Sequence, residues 1–169
     1  MIIIGVDPGT ATTGYGVIKI KNHPVESGTR IKNRLKCLGY GVIKTNPSLS
    51  SEERLKKIHN ALSKLLREYK PKILATEKLY FFKNLKTAIP VSQAQGVILL
   101  AAAKKKIEVH QFTPLEVKIG ICGYGRAEKK QVQRMIKEIL QLKEIPKPDD
   151  AADGLAVAVC CAFKIALRT

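Results

Sequence analysis

The chain opens Met1-Ile2-Ile3-Ile4-Gly5-Val6-Asp7, an almost unbroken apolar, β-branched run that ends on a carboxylate. A strand that is apolar at successive positions, rather than at every second one, is buried on both faces. Such a strand lies at the centre of a sheet covered by helices on each side, which narrows the fold to an α/β class. Asp7 would then emerge at the strand's C-terminal tip, where open α/β sheets place their sites. Pro8-Gly9-Thr10 follows as turn chemistry, Gly9 letting the backbone turn tightly.

The remaining elements follow from periodicity. Gly14 to Ile20 and Lys36 to Thr45 are predicted strands rich in β-branched and aromatic residues. Between them Lys21 to Asn33 is polar, holds Pro24 and Gly28, and reads as a long basic hairpin tip. Ser50 and Glu53 stand at capping-box spacing, and Leu55, Ile58, Leu62, Leu65 and Tyr69 then mark one helical face until Pro71. Lys72 to Glu77 is a short fourth strand. A second helix is expected from about Thr87 to Lys104, with Pro90 in its first turn, where no N–H partner is lost. Ile107 to Phe112 is a fifth strand. Thr113-Pro114 opens a short helix expected to stop before Gly120, and Gly120 to Arg126 reads as a glycine-rich loop. Ala127 to Leu142 is amphipathic through Val132, Met135, Ile136 and Ile139. After Pro146-Lys147-Pro148, Asp149 or Asp150 would cap a last helix. The expected fold is a mixed five-stranded sheet whose first three strands form an antiparallel meander, with helices on both faces, in a single domain over residues 1–169.

Several classes are excluded by composition. The longest apolar run, Gly154 to Phe163, is too short to span a bilayer. The N-terminus has neither the basic region nor the cleavage site of a signal peptide, so a cytoplasmic location is expected. Cys37, Cys122, Cys160 and Cys161 show no zinc-ligand spacing and read as free thiols. Thirty Lys and Arg against fourteen Asp and Glu leave a formal charge of +16, which is expected where the partner is a polyanion.

Against that background the positions of a few acids stand out. Glu77, like Asp7, ends a short strand, and in a parallel neighbour of the first strand it would lie beside Asp7. In Asp149-Asp150-Ala151-Ala152-Asp153, residues 150 and 153 share a helical face, and the small alanines allow that helix close to a sheet. Capping accounts for Asp149 or Asp150. It accounts less well for Asp153, beyond the reach of the helix dipole and beside Leu155, Val157 and Val159. Four carboxylates brought together would oppose folding unless cations join them. Hard oxygen ligands suit Mg²⁺, with Mn²⁺ as a substitute, and two such ions roughly 4 Å apart serve phosphodiester hydrolysis.

The same residues carry a resemblance. Ile4 to Thr10 with Thr13 to Val17, Thr76 to Tyr80, Ser92 to Val97, Ala127 to Val132, and Asp150 to Ala156 resemble, in order, the motifs of the RuvC family of Holliday-junction resolvases, across essentially the whole chain. The resemblance implies an RNase H-like fold, a homodimer, and metal-binding catalytic acids at Asp7, Glu77, Asp150 and Asp153. It implies symmetrical nicking of two strands of a four-way DNA junction during recombination and repair, alongside the branch-migration proteins RuvA and RuvB. It also implies an aromatic near the strand-exchange point at Tyr80, extended by Phe81 and Phe82, where stacking on an unpaired base would give it a role. Lys118 and Lys129 match basic positions near the scissile phosphate, and Arg126 is the basic residue of the glycine-rich stretch.

Alternatives stay open at this point. Asp149 is an extra acid that could replace Asp150 as a ligand. Asp7-Pro8-Gly9-Thr10 also resembles the first phosphate loop of sugar kinases, but those need a second lobe for which this length leaves no room. A related nuclease acting on RNA or other branched DNA, or a non-catalytic nucleic-acid-binding module, would share the charge; the binding module would not explain the acids.

Overall fold

A computed structural model of the chain describes residues 1–21, 34–78 and 85–166, the side chains of residues 85–87 excepted. Five strands, β1 (Ile2–Asp7), β2 (Thr12–Ile20), β3 (Leu35–Lys44), β4 (Ile73–Glu77) and β5 (Glu108–Phe112), form one sheet in the order β3-β2-β1-β4-β5. β1 to β3 are antiparallel neighbours, whereas β4 and β5 run parallel to β1. The expected meander and mixed sheet are both present, with β1 at the centre.

Five helices cover the two faces: α1 (Ser51–Tyr69), α2 (Leu85–Lys104), α3 (Pro114–Cys122), α4 (Lys129–Ile139) and α5 (Asp149–Ala166). Ile4, Val6, Val17 and Leu74 join Ile58, Leu62, Ala94 and Ile98 in the core beneath α1 and α2. Ile3, Ile18, Ile73, Ala75 and Phe112 join the core beneath α3, α4 and α5. The two cores follow the alternation of side chains along a strand. That alternation puts Asp7 in phase with Ile3, and Glu77 in phase with Ile73 and Ala75, so both acids belong to the face that α5 covers.

Local signals set the starts of α1 and α3. The Ser50 hydroxyl accepts from the Glu53 N–H, and the Glu53 carboxylate accepts from the Ser50 N–H, closing the expected box. Thr113 and Glu116 repeat it at the start of α3.

Three boundaries differ from expectation. α2 starts at Leu85, so Pro90 lies inside the helix rather than in its first turn. α3 runs through Gly120 to Cys122 and ends at Gly123, whose φ of 84° suits a residue without a side chain. Gly120 is thus a packing position, not a breaker: a Cβ there would stand 2.9 Å from the Cys160 sulfur of α5. α5 opens at Asp149, which puts both Asp149 and Asp150 in its first turn instead of at the cap. All four cysteines are free thiols. No helix among the described residues is long and apolar enough to cross a membrane. Residues 22–33 of the expected basic hairpin tip, and Tyr80, Phe81 and Phe82, lie outside the described residues.

α5 is apolar nearly all round and buried from Ala151 to Ala162, Asp153 excepted. It reaches β1 and β2 so closely because side chains are missing where they meet. A Cβ on Gly5 would stand 2.1 Å from the Gly154 carbonyl oxygen, one on Gly14 1.8 Å from the Asp150 carbonyl oxygen, and one on Gly16 2.6 Å from the Leu155 Cα. On the helix side, a Cβ on Gly154 would meet the Tyr15 backbone at 2.7 Å. Because the obstacles are backbone atoms, Gly14→Ala is expected to push the first turn of α5 outward and to cost about 1–3 kcal/mol in urea unfolding, as overpacking does. Gly96→Ala, where a Cβ meets open space, is expected to be neutral or stabilising in the same measurement.

Candidate active site

The site is built by register. Asp7 pairs across β1 and β2 with Gly14, and the missing Gly14 side chain is what lets the Asp150 backbone sit over that rung. On the other side β1 pairs with β4 up to Val6 and Thr76, so Asp7 and Glu77 each lie one residue beyond the last rung. Asp150 and Asp153, three apart, face the same way from the first turns of α5. Two strand tips and one helix start therefore carry all four sequence-predicted acids to one end of the sheet.

The electrostatics show how closely they are gathered. Burial, then repulsion from Asp153, Glu77 and Asp150, pushes the Asp7 carboxyl up to about 7, against a weaker opposing pull from Lys129. Burial, then Asp153, pushes Glu77 up to about 7 as well, opposed by Lys118 and Lys129. Asp153 is also raised, by burial first, with its hydrogen bond to Lys129 acting the other way. Of the two acids in the first turn of α5, Asp150 adds to the repulsion on Asp7, whereas Asp149, its side chain 66% exposed and 3.7 Å from Lys129, acts on Asp153.

Two lysines stand with the acids. Lys129, the first residue of α4, reaches the Asp153 carboxylate at 2.8 Å, its helix start held by the Gln131 side-chain oxygen accepting from the Glu128 N–H. Lys118 of α3 shares a cavity of about 220 Å³ with Glu77, Lys129 and Asp153, walled by Pro114, Val117, Val132 and Ala156. As the side chains stand, no three Asp, Glu, His or Cys residues among those described are spaced to hold one metal ion. The carboxylates share one electrostatic field without closing into a coordination sphere. Arg126 is exposed between α3 and α4 and makes no ion pair among the described residues.

Sequence reasoning missed Gln95 as a site residue. It occupies an apolar-face position of α2, 9% exposed, and its side-chain amide donates to the Glu77 main-chain carbonyl at 3.0 Å. The signal was present as a polar residue at the helical spacing of Val91, Ile98 and Ala102. The glycine seam beneath α5 was missed too, since a glycine needed for close approach looks in sequence like one needed for a turn.

Comparison with known proteins identifies the family. Residues 3–161 match the family model described as crossover junction endodeoxyribonuclease RuvC. A protein of that name from Natranaerobius thermophilus is 50% identical over 169 residues, covering 100% of this chain and 99% of the relative. One from Fusobacterium nucleatum is 50% identical over 159 residues, covering 94% of this chain and 78% of the relative. Among solved structures, Thermus thermophilus RuvC superposes with a TM-score of 0.87 at 32% identity, covering 100% of this chain and 98% of the other. The same protein in complex with a Holliday junction substrate gives a TM-score of 0.89 at 32% identity, covering 100% and 97%. The yeast mitochondrial resolvase Ydc2, 12% identical with a TM-score of 0.62, shares the fold. The architecture is that of the RNase H-like resolvases, and the chain belongs to the RuvC family of crossover junction endodeoxyribonucleases.

Proposed function

We propose that this protein resolves four-way DNA junctions by nicking two strands symmetrically, in a hydrolysis that depends on divalent cations. The observation that carries the reading is the gathering of Asp7, Glu77, Asp150 and Asp153 at one end of the central strands of a +16 chain. A basic surface grips a phosphate backbone, whereas a half-buried acidic cluster repels it unless cations stand between them.

The donor set fits Mg²⁺, with Mn²⁺ able to replace it: four hard carboxylates, two of them raised to about 7 by burial and mutual repulsion. Asp7, Glu77, Asp150 and Asp153 would hold the ions. Bound divalent cations supply an activated water near neutral pH and stabilise the leaving oxygen of a phosphodiester. The chain's own groups do the rest. Lys129 balances Asp153, and with Lys118 it presents ammonium groups to the cavity that Glu77 and Asp153 line, where a backbone phosphate would be held. Arg126, exposed beyond α3, would add a backbone contact. Tyr80 would stack on a base at the exchange point, a role drawn from the family resemblance.

The protein would act as a homodimer, with RuvA and RuvB as partners, in the cytoplasm. Support for the dimer lies on α2, whose outer side carries exposed Ile89, Gln93, Gly96 and Leu100 at intervals of four, three and four. That spacing makes a narrow seam of the kind two helices share. A leucine at Gly96 would fill the space a second helix needs. Gly96→Leu is expected to shift the protein from dimer to monomer in analytical ultracentrifugation; an unchanged dimer would move the interface elsewhere.

The reading is tested by offering the protein a synthetic four-way junction, a plain duplex and an RNA–DNA hybrid, each with Mg²⁺ or with EDTA. Cutting is expected of the junction alone, and with Mg²⁺ alone. Asp7→Asn is expected to lower the rate by about two orders of magnitude or more while the junction still binds. Preferred cutting of the hybrid, or cutting in EDTA, would overturn the proposal.

A pH dependence follows from the same carboxyls. Asp7 and Glu77 titrate near 7 in the folded chain, against 3.8 and 4.5 ordinarily. The native state therefore holds more protons than the unfolded one between about pH 4 and pH 7. Their contribution to stability is fully present below that window and is lost as pH rises through 7, at up to about 1.4 kcal/mol per unit for each group. In EDTA the melting temperature is expected to fall from pH 5.5 to pH 8 and to recover at pH 8 on addition of Mg²⁺. Asp7→Asn should flatten the fall. A wild-type curve no steeper than that of Asp7→Asn would contradict the account.

A further inference from the structure

α2 buries Ala94, Ile98, Ala101 and Ala102 against the sheet, and Gln95 is the polar residue within that buried face. A glutamine amide there is costly unless its hydrogen bonds are made. Its Nε2 donates to the main-chain carbonyl of Glu77 at 3.0 Å. The β1–β4 ladder has ended one residue earlier, at Val6 and Thr76, so this carbonyl lies past the last rung toward β1. On the β5 side the backbone continues to pair, the Lys78 N–H donating to the Phe112 carbonyl at 2.7 Å. The end of β4 is thus held by backbone on one side and by a side chain from α2 on the other. Thr76, fully buried next to Glu77, leaves its hydroxyl without a partner. Among the described residues the Gln95 bond is the one side-chain hydrogen bond that β4 receives.

We infer that Gln95 is a positioning residue for Glu77, holding the peptide that follows it so that the carboxylate stays turned toward Asp7 and α5. The inference rests on the proposed nuclease reading and deepens it. Gln95 lies on one side of α2 and the exposed Ile89–Leu100 seam on the other, so a second copy docked on that seam would bear on the helix that fixes Glu77. Gln95 touches no reacting group; it acts through the backbone of one that does.

Two variants and one wild-type measurement test this. Gln95→Met keeps length and apolar fit but has no donor, and Gln95→Glu keeps size while setting a carboxylate against the carbonyl. Mn²⁺ binding is measured by calorimetry, half-saturating Mg²⁺ from cleavage, and junction affinity in EDTA. Both variants are expected to bind Mn²⁺ about 10–100-fold more weakly, the range for partners that orient metal ligands. Half-saturating Mg²⁺ should rise in step, junction affinity should stay within about twofold, and excess metal should restore much of the rate. Unchanged Mn²⁺ affinity in a folded variant overturns the inference, and so does a lowered melting temperature with metal affinity intact, which is the mark of a structural role alone. Should neither variant fold, the scalar coupling across the hydrogen bond from the Gln95 amide to the Glu77 carbonyl carbon is sought in the wild-type protein, and its absence decides against the inference. A wild-type protein that neither binds Mn²⁺ nor needs metal to cut would instead remove the nuclease reading itself.

Discussion

A buried helix can carry carboxylates to the middle of a sheet only if its backbone comes down nearly onto the strands. Everything at this site depends on that close approach. Gly5, Gly14 and Gly16 on β1 and β2, with Gly154 on α5, remove the side chains that would hold the layers apart. Helices normally sit on a sheet at a distance set by interdigitating side chains, about 10 Å between layers for packed sheets and 8–10 Å between helices. Here the Asp150 carbonyl rests over the Asp7–Gly14 rung. The first turns of α5 thereby become part of the same end of the sheet as the tips of β1 and β4. The apolar length of α5 past Leu155, buried under α3 and α4, anchors the helix behind its acidic start.

Such an arrangement works against folding. Holding Asp7 and Glu77 ionised at neutral pH costs on the order of a few kcal/mol each, to judge from how far they are raised. A domain with about 5–15 kcal/mol of net stability feels that strongly. Two positive groups reduce it. Lys129 bonds Asp153 directly, and Lys118 acts on Glu77 across the cavity. Both enter from α3 and α4, so the elements that cover the outside of α5 also supply the cations that make its acidic end tolerable. Lysine compensates only in part, since Asp7, Glu77 and Asp153 all remain raised. The residual negative field is what a divalent cation would find.

Much of this was legible in the sequence, and the reasons are local. A fully apolar β1, a parallel β4 and acids at both C-terminal tips follow from strand period and open-sheet geometry, and the i, i+3 spacing of Asp150 and Asp153 from helix period. Capping chemistry at Ser50 and Thr113 located two helix starts closely. Where the reading failed, the deciding contact was tertiary. Gly120 has the composition of a breaker, yet the Cys160 side chain of a helix forty residues later makes it a packing site. Pro90 suggested a first turn, but α2 begins two residues earlier than expected. Gln95 looked like one more position on a helical face; its partner, a carbonyl beyond the end of a ladder, is defined by where β1 stops pairing with β4. No window of sequence contains that information.

The sheet also divides the labour between its faces. Side chains of β4 alternate, so Glu77 turns to the α5 side while Thr76 turns to the α1–α2 side. A peptide carbonyl lies in the plane between the faces, and that of Glu77 is the group α2 grips. One face thus carries the acids and the other the exposed row of Ile89, Gln93, Gly96 and Leu100, with the hydrogen bond from the Gln95 side chain to the Glu77 main-chain carbonyl joining them. Under the proposed dimer, a helix serving both subunit contact and ligand alignment would make each acidic site sensitive to whether a second copy is seated. That sensitivity needs no conformational change in the core. A shift of a few tenths of an ångström along α2 would take the 3.0 Å Gln95 bond beyond the usual N–H···O range of about 2.7–3.2 Å and weaken it.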